Sequence, residues 1–311
     1  MPPGAPLNGL VKKRFRLYFS IRAVGPRDHN MQSIHKPVVA GRFYPAEAAE
    51  LRALLNALMA EARKRMESNS AGDGAHGERT IRAVIAPHAG YVYSGPIAAM
   101  AYELVAREWE RAPGRKRVVL LGPSHRVGFT GLALPGTAGY ETPLGVVQLD
   151  QALIARLRAS GPGRAPAIVD LPGAHAAEHS LEVHVPFLQY ILEDFTLVPL
   201  VVGRVTPREL ANVLAPLLEA PDVLIVVSSD LSHFLDYQAA RKKDAETSRA
   251  ILNMEPERIG PQEACGCRGV NGLLLAAREH GLRPRLVDLR NSGDTAGDKQ
   301  RVVGYGAYVV G

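Results

Sequence analysis

Three apolar runs in this sequence end in polar segments that contain histidine. Ile81–Ala86 is followed by Pro87-His88-Ala89-Gly90-Tyr91, and Arg117–Gly122 by Pro123-Ser124-His125. Asp222–Val227 is followed by Ser228-Ser229-Asp230-Leu231-Ser232-His233. Runs of this length and apolarity read as strands buried on both faces. In open α/β sheets, ligands bind beyond the carboxyl ends of strands. A lone loop histidine is usually solvated or hydrogen-bonded. Three at equivalent positions point to one shared crevice, where imidazole can ligate a metal or move a proton.

Two further clusters could serve that crevice. In Glu178-His179-Ser180-Leu181-Glu182-Val183-His184, a helix would put Ser180 and His184 on one face and Glu178 and Glu182 on another. The segment lacks the H-E-x-x-H spacing of zinc proteases. Besides a metal-binding helix, it therefore reads as a set of His and Glu side chains that hydrogen-bond the groups around a site, and this second reading is preferred. Cys265-Gly266-Cys267 holds both thiols of the chain. It is too small for a four-ligand structural zinc site. One of its cysteines could complete a two-histidine site, or be an inert buried thiol. Ser292–Asp298 (SGDTAGD) fits a tight loop and carries neither glycine-rich nucleotide signature.

The elements that must position these residues alternate between helix and strand. Apolar spacing predicts a helix from Ala46 to about Glu67, then a Gly/Ser-rich loop over Ser68–Arg79. A helix is expected from about Pro96 to Glu110, with Ser94 as its N-cap. Further helices are read at Asp150–Arg158, Leu181–Leu192, Pro207–Leu218, Tyr237–Asn253 and Gly269–His280. Leu197–Gly203, Arg283–Leu289 and Arg301–Val310 complete the strands. The pattern implies one α/β domain, a central mixed sheet flanked by helices.

Composition bounds the class. With 311 residues and 46% hydrophobic content, the chain can build a full core without disulfides. Two cysteines suit a reducing cytoplasm, and no apolar run is long enough to span a membrane. The formal charge of +6 raises the question of nucleic acid, but residues 1–30 hold six basic residues against Asp28 alone. That leader accounts for +5, and the body carries +1. No nucleic-acid partner is therefore expected. Residues 1–34 read as a basic, disordered extension or as sequence upstream of a true start at Met31. A targeting role is the lesser alternative.

Taken in order, GRFYP (Gly41–Pro45), PHAGYVYSG (Pro87–Gly95), GPSH (Gly122–His125) and EHSLEVHVPFL (Glu178–Leu188) resemble a known family, as do SSDLSH (Ser228–His233), ACG (Ala264–Gly266) and SGDTAGDKQRVVGYGAY (Ser292–Tyr308). The set is similar to the Memo family, whose prokaryotic members are called AmmeMemoRadiSam system protein B. The resemblance spans residues 35–311. It implies a fold like that of the class III extradiol dioxygenases, which hold non-haem iron. Carried over, it makes His88, His125 and Cys265 the metal ligands, with His233 and Asp230 as the catalytic pair. Glu178, His184 and Tyr91 would support them. Two departures stand out: Cys267-Arg268 follows ACG where relatives usually have Pro-Ile, and Phe43 replaces the Trp of some relatives. The first leaves the choice between Cys265 and Cys267 open.

Two functions follow as expectations. One is a metal-dependent redox protein holding a divalent transition metal, iron first, with copper or zinc as alternatives. A thiolate in place of the dioxygenase carboxylate argues against ordinary extradiol ring cleavage. The family name implies action beside a radical SAM protein and an AMMECR-type protein. The other function is a non-catalytic adaptor that binds a peptide, protein or small molecule in the same crevice, with Phe43, Tyr44, Tyr91, Tyr93 and Tyr140 as candidate walls.

Overall fold

The structure, a computed structural model, describes residues 33–70, 80–109, 116–159 and 165–311, with the side chains of Asn69 and Ser70 excepted. The basic leader lies outside the described residues except for Ser33 and Ile34, and so does most of the Gly/Ser-rich loop. In chain order the strands are β1 (Ile34–His35), β2 (Ala83–Ala86), β3 (Lys116–Pro123), β4 (Leu132–Leu134), β5 (Gly139–Thr142) and β6 (Gly145–Gln148). There follow β7 (Ile168–Asp170), β8 (Phe195–Val202), β9 (Val223–Ser228), β10 (His233–Leu235), β11 (Pro284–Asn291) and β12 (Val302–Val310). The helices are α1 (Ala48–Ser70), α2 (Tyr91–Trp109), α3 (Gln151–Arg158), α4 (Pro172–His175) and α5 (Val185–Ile191). The rest are α6 (Pro207–Leu218), α7 (Tyr237–Leu252) and α8 (Cys267–Glu279). None of the described helices is long and apolar enough to cross a membrane.

The main sheet runs β10-β12-β2-β9-β3-β8-β4-β7, with β11 alongside β12. Its centre, β2-β9-β3-β8, is parallel; β12 joins β2 and β4 joins β8 antiparallel. A separate small sheet has the order β1-β5-β6. The expected mixed sheet flanked by helices is what forms. Helices α6 and α8 pack on each other and on β9, while α1 packs on α2, which lies against β2, β11 and β12. Every residue of β2 and β9 is buried, as strands covered on both faces require.

Register decides where the chemistry collects. Ala86 pairs with Ser228, and Leu121 pairs with Val227. The chain therefore leaves β2, β9 and β3 at one level of the sheet, with β9 in the middle. The three histidine-bearing segments start side by side.

Several sequence expectations need correction. Helix α2 starts at Tyr91, not near Pro96, and Ser94 is no N-cap: its hydroxyl donates to the Ala89 carbonyl at 2.8 Å. Pro96 lies in the second turn, where its missing N–H leaves the Val92 carbonyl free in a stretch whose Val92 and Tyr93 are exposed. The expected helix over Leu181–Leu192 divides into a 3-10 turn at Glu182–His184 and then α5. Every residue from Ser180 to Leu188 is buried, so the segment is enclosed on all sides rather than along one α-helical face. Pro186 sits in the first turn of α5, where a proline is tolerated. Strands β4 to β7 were not read from the sequence at all. They are three or four residues long, too short for a periodic signal.

The 3-10 turn has a structural task. The Glu182 carboxylate, fully buried, accepts from Val38 N at 2.6 Å, Val39 N at 3.0 Å and the Tyr44 hydroxyl at 2.5 Å. It thereby fastens the GRFYP turn against the middle of the chain. Glu182→Ala leaves these donors without an acceptor and is expected to cost about 3 kcal/mol or more of unfolding free energy, at ~1–3 kcal/mol per buried unsatisfied group. Glu182→Gln should recover part of that loss in urea unfolding. Equal losses for both variants would contradict this account of the strap.

Candidate metal centre

His88 follows β2 and is almost fully buried. Its backbone N–H donates to Asp230 Oδ1 at 2.7 Å, and its Nδ1 lies 2.6 Å from Ser228 Oγ. The Ser228 hydroxyl already donates its proton to the Ser180 carbonyl at 2.6 Å. Nδ1 of His88 must then carry the hydrogen and donate, which leaves Nε2 with a free lone pair. Cys265 Sγ lies 3.3 Å from that Nε2.

His125 follows β3 and is oriented by Glu178. One carboxylate oxygen accepts from His125 N at 2.6 Å, and the other meets His125 Nδ1 at 2.8 Å. The second oxygen also accepts from His179 N and Ser180 N, each at 3.0 Å. Burial alone would raise Glu178; the hydrogen bonds from His125 and the backbone amides outweigh it and hold the carboxyl at about 2. A carboxylate that accepts from Nδ1–H leaves Nε2 of His125 free, as metal-ligating histidines require.

His179 completes the cluster. Its ring stacks on His125 with centroids 4.9 Å apart and meets His88 edge-on at 5.4 Å, while Phe43 packs on it at 4.8 Å. Burial lowers the His179 ring to about 4. Ligand atoms of His88, His125 and His179 all lie within 4.8 Å of one another, a group able to hold a metal ion. The sequence reading named His179 only within the Glu178–His184 cluster and gave it no ligand role of its own. The signal available was its place directly after Glu178.

The other candidates fall at graded distances. Cys265, rather than Cys267, faces His88; Cys267 belongs to the apolar core at the start of α8. Sγ of Cys265 also accepts from Asp230 N at 3.2 Å. Burial, reinforced by Asp230, raises this thiol well above the ordinary range. Asp230 is itself held up at about 7 by burial. His233 lies on edge strand β10; the residue as a whole is exposed, but its imidazole is partly enclosed, which lowers its pKa with a smaller contribution from His125, and its nitrogens lie outside the three-histidine group. Tyr91 donates to the Val183 carbonyl at 2.6 Å, which braces α2 against the 3-10 turn. His184 reaches no cluster histidine by hydrogen bond: its Nδ1 pairs with the Tyr102 hydroxyl at 2.8 Å, and its Nε2 is buried without a partner. Tyr140, expected as a pocket wall, is buried beside His35 at 4.4 Å.

On this α/β fold the ends of the central strands and the adjoining Glu178–Ser180 stretch gather three imidazoles able to hold a metal ion, with a thiol against one of them. Comparison with known proteins gives the family. The Memo-like protein family model matches residues 35–309. A MEMO1 family protein of Aeropyrum pernix is 37% identical over 302 residues, covering 89% of this chain and 99% of the relative. One from Ignicoccus hospitalis is 35% identical over 296 residues (88% and 97%), and one from Methanosarcina barkeri 33% over 291 (89% and 100%). The chain belongs to the Memo family.

Two predictions follow from this geometry. Glu178→Gln removes an oxygen that accepts from His125 and should weaken zinc binding by about 10- to 100-fold in a chelator competition; unchanged affinity would show that Glu178 does not orient His125. The second concerns acid. Burial holds His35 at about 4, His175 at about 4 and His184 at about 3, so all are neutral in the folded state. In the unfolded chain they protonate near 6.5, so unfolding takes up protons and stability falls as pH drops from 6.5 toward 5. Asp230, raised to about 7, offsets one of these protons. His184→Gln should reduce the slope of stability against pH by up to about 1.4 kcal/mol per unit, measured by urea unfolding of metal-free protein. An unaltered slope would mean that His184 is already charged in the fold.

Proposed function

We propose that this protein is a transition-metal protein of redox function, with the metal held by His88, His125 and Cys265 and with His179 facing the same point. The observation that carries this reading is the fixing of both Nδ1 atoms, of His88 by Ser228 and of His125 by Glu178, which leaves both Nε2 atoms free toward Cys265 and His179. The residues fit the group. Imidazole with thiolate suits Fe(II), Cu(I) or zinc over magnesium or calcium, and iron is our first assignment by similarity to the class III extradiol dioxygenases.

A metal bound here would offer open coordination positions to dioxygen or to an organic substrate. The protein's own groups set the stage for that chemistry. Cys265, buried, keeps its proton; a cation held here would take the thiolate as ligand, so loading would release a proton. Asp230 holds the backbone of His88 and, through its own N–H, the sulfur of Cys265. His233, neutral near pH 7 because burial lowers it, is placed to take a proton at the exposed edge. Phe43 packs on the His179 ring and covers one part of it.

A cytoplasmic protein acting with a radical SAM protein and an AMMECR-type partner completes the proposal; such surroundings would keep the Cys265 thiol reduced. A second reading, an adaptor for peptides, draws on one feature. An open cavity of about 480 Å³ is lined by Arg42, Phe43, Tyr91 and exposed Val92, next to the histidine cluster through Phe43.

Metal stoichiometry tests the primary reading. Anaerobically purified protein should carry iron, and His88→Ala, His125→Ala and Cys265→Ser should each lose it, whereas Cys267→Ser should keep it. Metal content indifferent to all three would remove the assignment. Loss in Cys267→Ser with retention in Cys265→Ser would exchange the thiols. If metal binds and no dioxygen is consumed with any catechol or peptide, the adaptor reading gains.

A further inference from the structure

Two non-glycine residues among those described have a positive φ, Phe234 at 61° and Met254 at 58°. Bulky side chains adopt this left-handed backbone only at a cost that something must offset. For Met254 the offset is visible. It closes the end of α7, where Met254 N donates to the Ile251 carbonyl at 3.0 Å and Glu255 N to that of Ala250 at 2.9 Å, and its side chain is buried. Phe234 has neither compensation. It ends no helix, and at 63% exposure it is the most exposed large apolar residue of those described.

The strain has a local cause. β10 is an edge strand in which His233 stands opposite Val303 and Leu235 opposite Val302. Phe234 is therefore the extra residue of a β-bulge, and bulges re-aim a side chain. Successive strand residues normally point to opposite faces. Here the rings of His233 and Phe234 meet edge to face, with centroids 5.7 Å apart. The His233 imidazole is partly enclosed and senses His125. The two rings make a step from the rim of the metal centre out to solvent.

One cation accompanies this step. The Arg301 guanidinium lies over the Phe234 ring at 5.1 Å. The two carboxylates nearest it in sequence are engaged elsewhere. Asp298 accepts from the backbone N–H groups of Gln300 and Arg301 at 2.7 and 3.3 Å, and Asp294 from the Tyr237 hydroxyl at 2.6 Å. Lys299 lies over Tyr237 at 4.8 Å. A guanidinium stacked on a ring keeps its N–H edge free, and that fork matches a carboxylate. Asp294 and Asp298 close by disfavour a doubly charged phosphate. The exposed ring favours a second ring against it.

We propose that Phe234 and Arg301 form a rim site for a small aromatic carboxylate, its ring packed on Phe234 and its carboxylate on the Arg301 guanidinium, beside His233. The site rests on the reading of His233 as the group that takes a proton at the edge of the metal centre. Phe234 and Arg301 bind and place the ligand; neither takes part in the chemistry.

The test uses the full-length, metal-free protein with isotope-labelled histidine, titrated with benzoate and followed by NMR. Benzoate should bind saturably and shift the His233 imidazole signals. Arg301→Gln and Phe234→Asn should each weaken it by about fivefold, and Phe234→Tyr, which keeps the ring, should retain it. Asparagine tolerates the left-handed backbone, so the urea midpoint of Phe234→Asn should equal or exceed that of the unaltered protein. A lower midpoint would mean that the ring serves packing, and would overturn the proposal. So would cyclohexanecarboxylate binding as tightly as benzoate, phenyl phosphate binding more tightly, or benzoate binding with His233 unmoved. No metal enters this titration. Benzoate binding alongside a failed iron assay would therefore remove the metal reading alone, and metal binding without benzoate binding would remove the rim site alone.

Discussion

One buried carboxylate organises the cluster. Glu178 accepts four hydrogen bonds, from the ring and backbone of His125 and from the backbones of His179 and Ser180. These donors belong to two chain segments more than fifty residues apart, the loop after β3 and the stretch before the 3-10 turn. Their shared acceptor converts that separation into a stack of imidazoles. A buried carboxylate is costly unless its lone pairs are filled. The site meets this requirement by spending on Glu178 the same N–H groups that must be oriented. Loss of the charge therefore removes both the reason for the burial and the geometry that the burial supports.

The sheet was legible wherever an apolar run was long enough to be buried on both faces. β3, β8, β9 and β12 are six to nine residues long and appear in the sequence within two residues of their observed ends. β4 to β7 are too short to carry a period, and backbone pairing rather than side-chain alternation holds them. Helix α6 was read to the residue because local signals agree. Thr206 caps it, Glu209 closes the capping box, Pro207 opens it, and Leu210, Val213, Leu214 and Leu217 form its buried stripe. At α2 the signals conflict. Pro96 and Ser94 suggest a start that tertiary packing of Tyr91 against Phe187 and Tyr44 moves upstream.

The site was legible in the same partial way. Strand-end position marks His88 and His125, because parallel strands collect their carboxyl ends on one edge whatever the loops do. His179 carries no such mark. Its segment has no regular structure, and what places it is the pull of Glu178 on backbone amides, a tertiary effect invisible to periodicity. The thiol was ambiguous for a similar reason. Two cysteines one residue apart look alike in sequence, and only the turn before α8, where Cys265 N donates to the Asp230 carbonyl at 3.2 Å and Cys267 N to that of Ala264, separates them.

Those contacts show why the loop after β9, the middle strand, is the site's frame. Ser228 fixes the tautomer of His88 through its hydroxyl. Ser229 receives Gly266 N, and Asp230 binds the backbone of His88 with its carboxylate and the sulfur of Cys265 with its N–H. Three consecutive residues thus tie an imidazole from one neighbouring loop to a thiol from another. The fit leaves no slack at Gly266, where an added Cβ would stand 2.4 Å from the Ser228 carbonyl oxygen. A side chain there would force apart the backbone segments that bring sulfur and nitrogen together. The glycine of the ACG motif is therefore demanded by close approach of backbone rather than by an unusual dihedral angle.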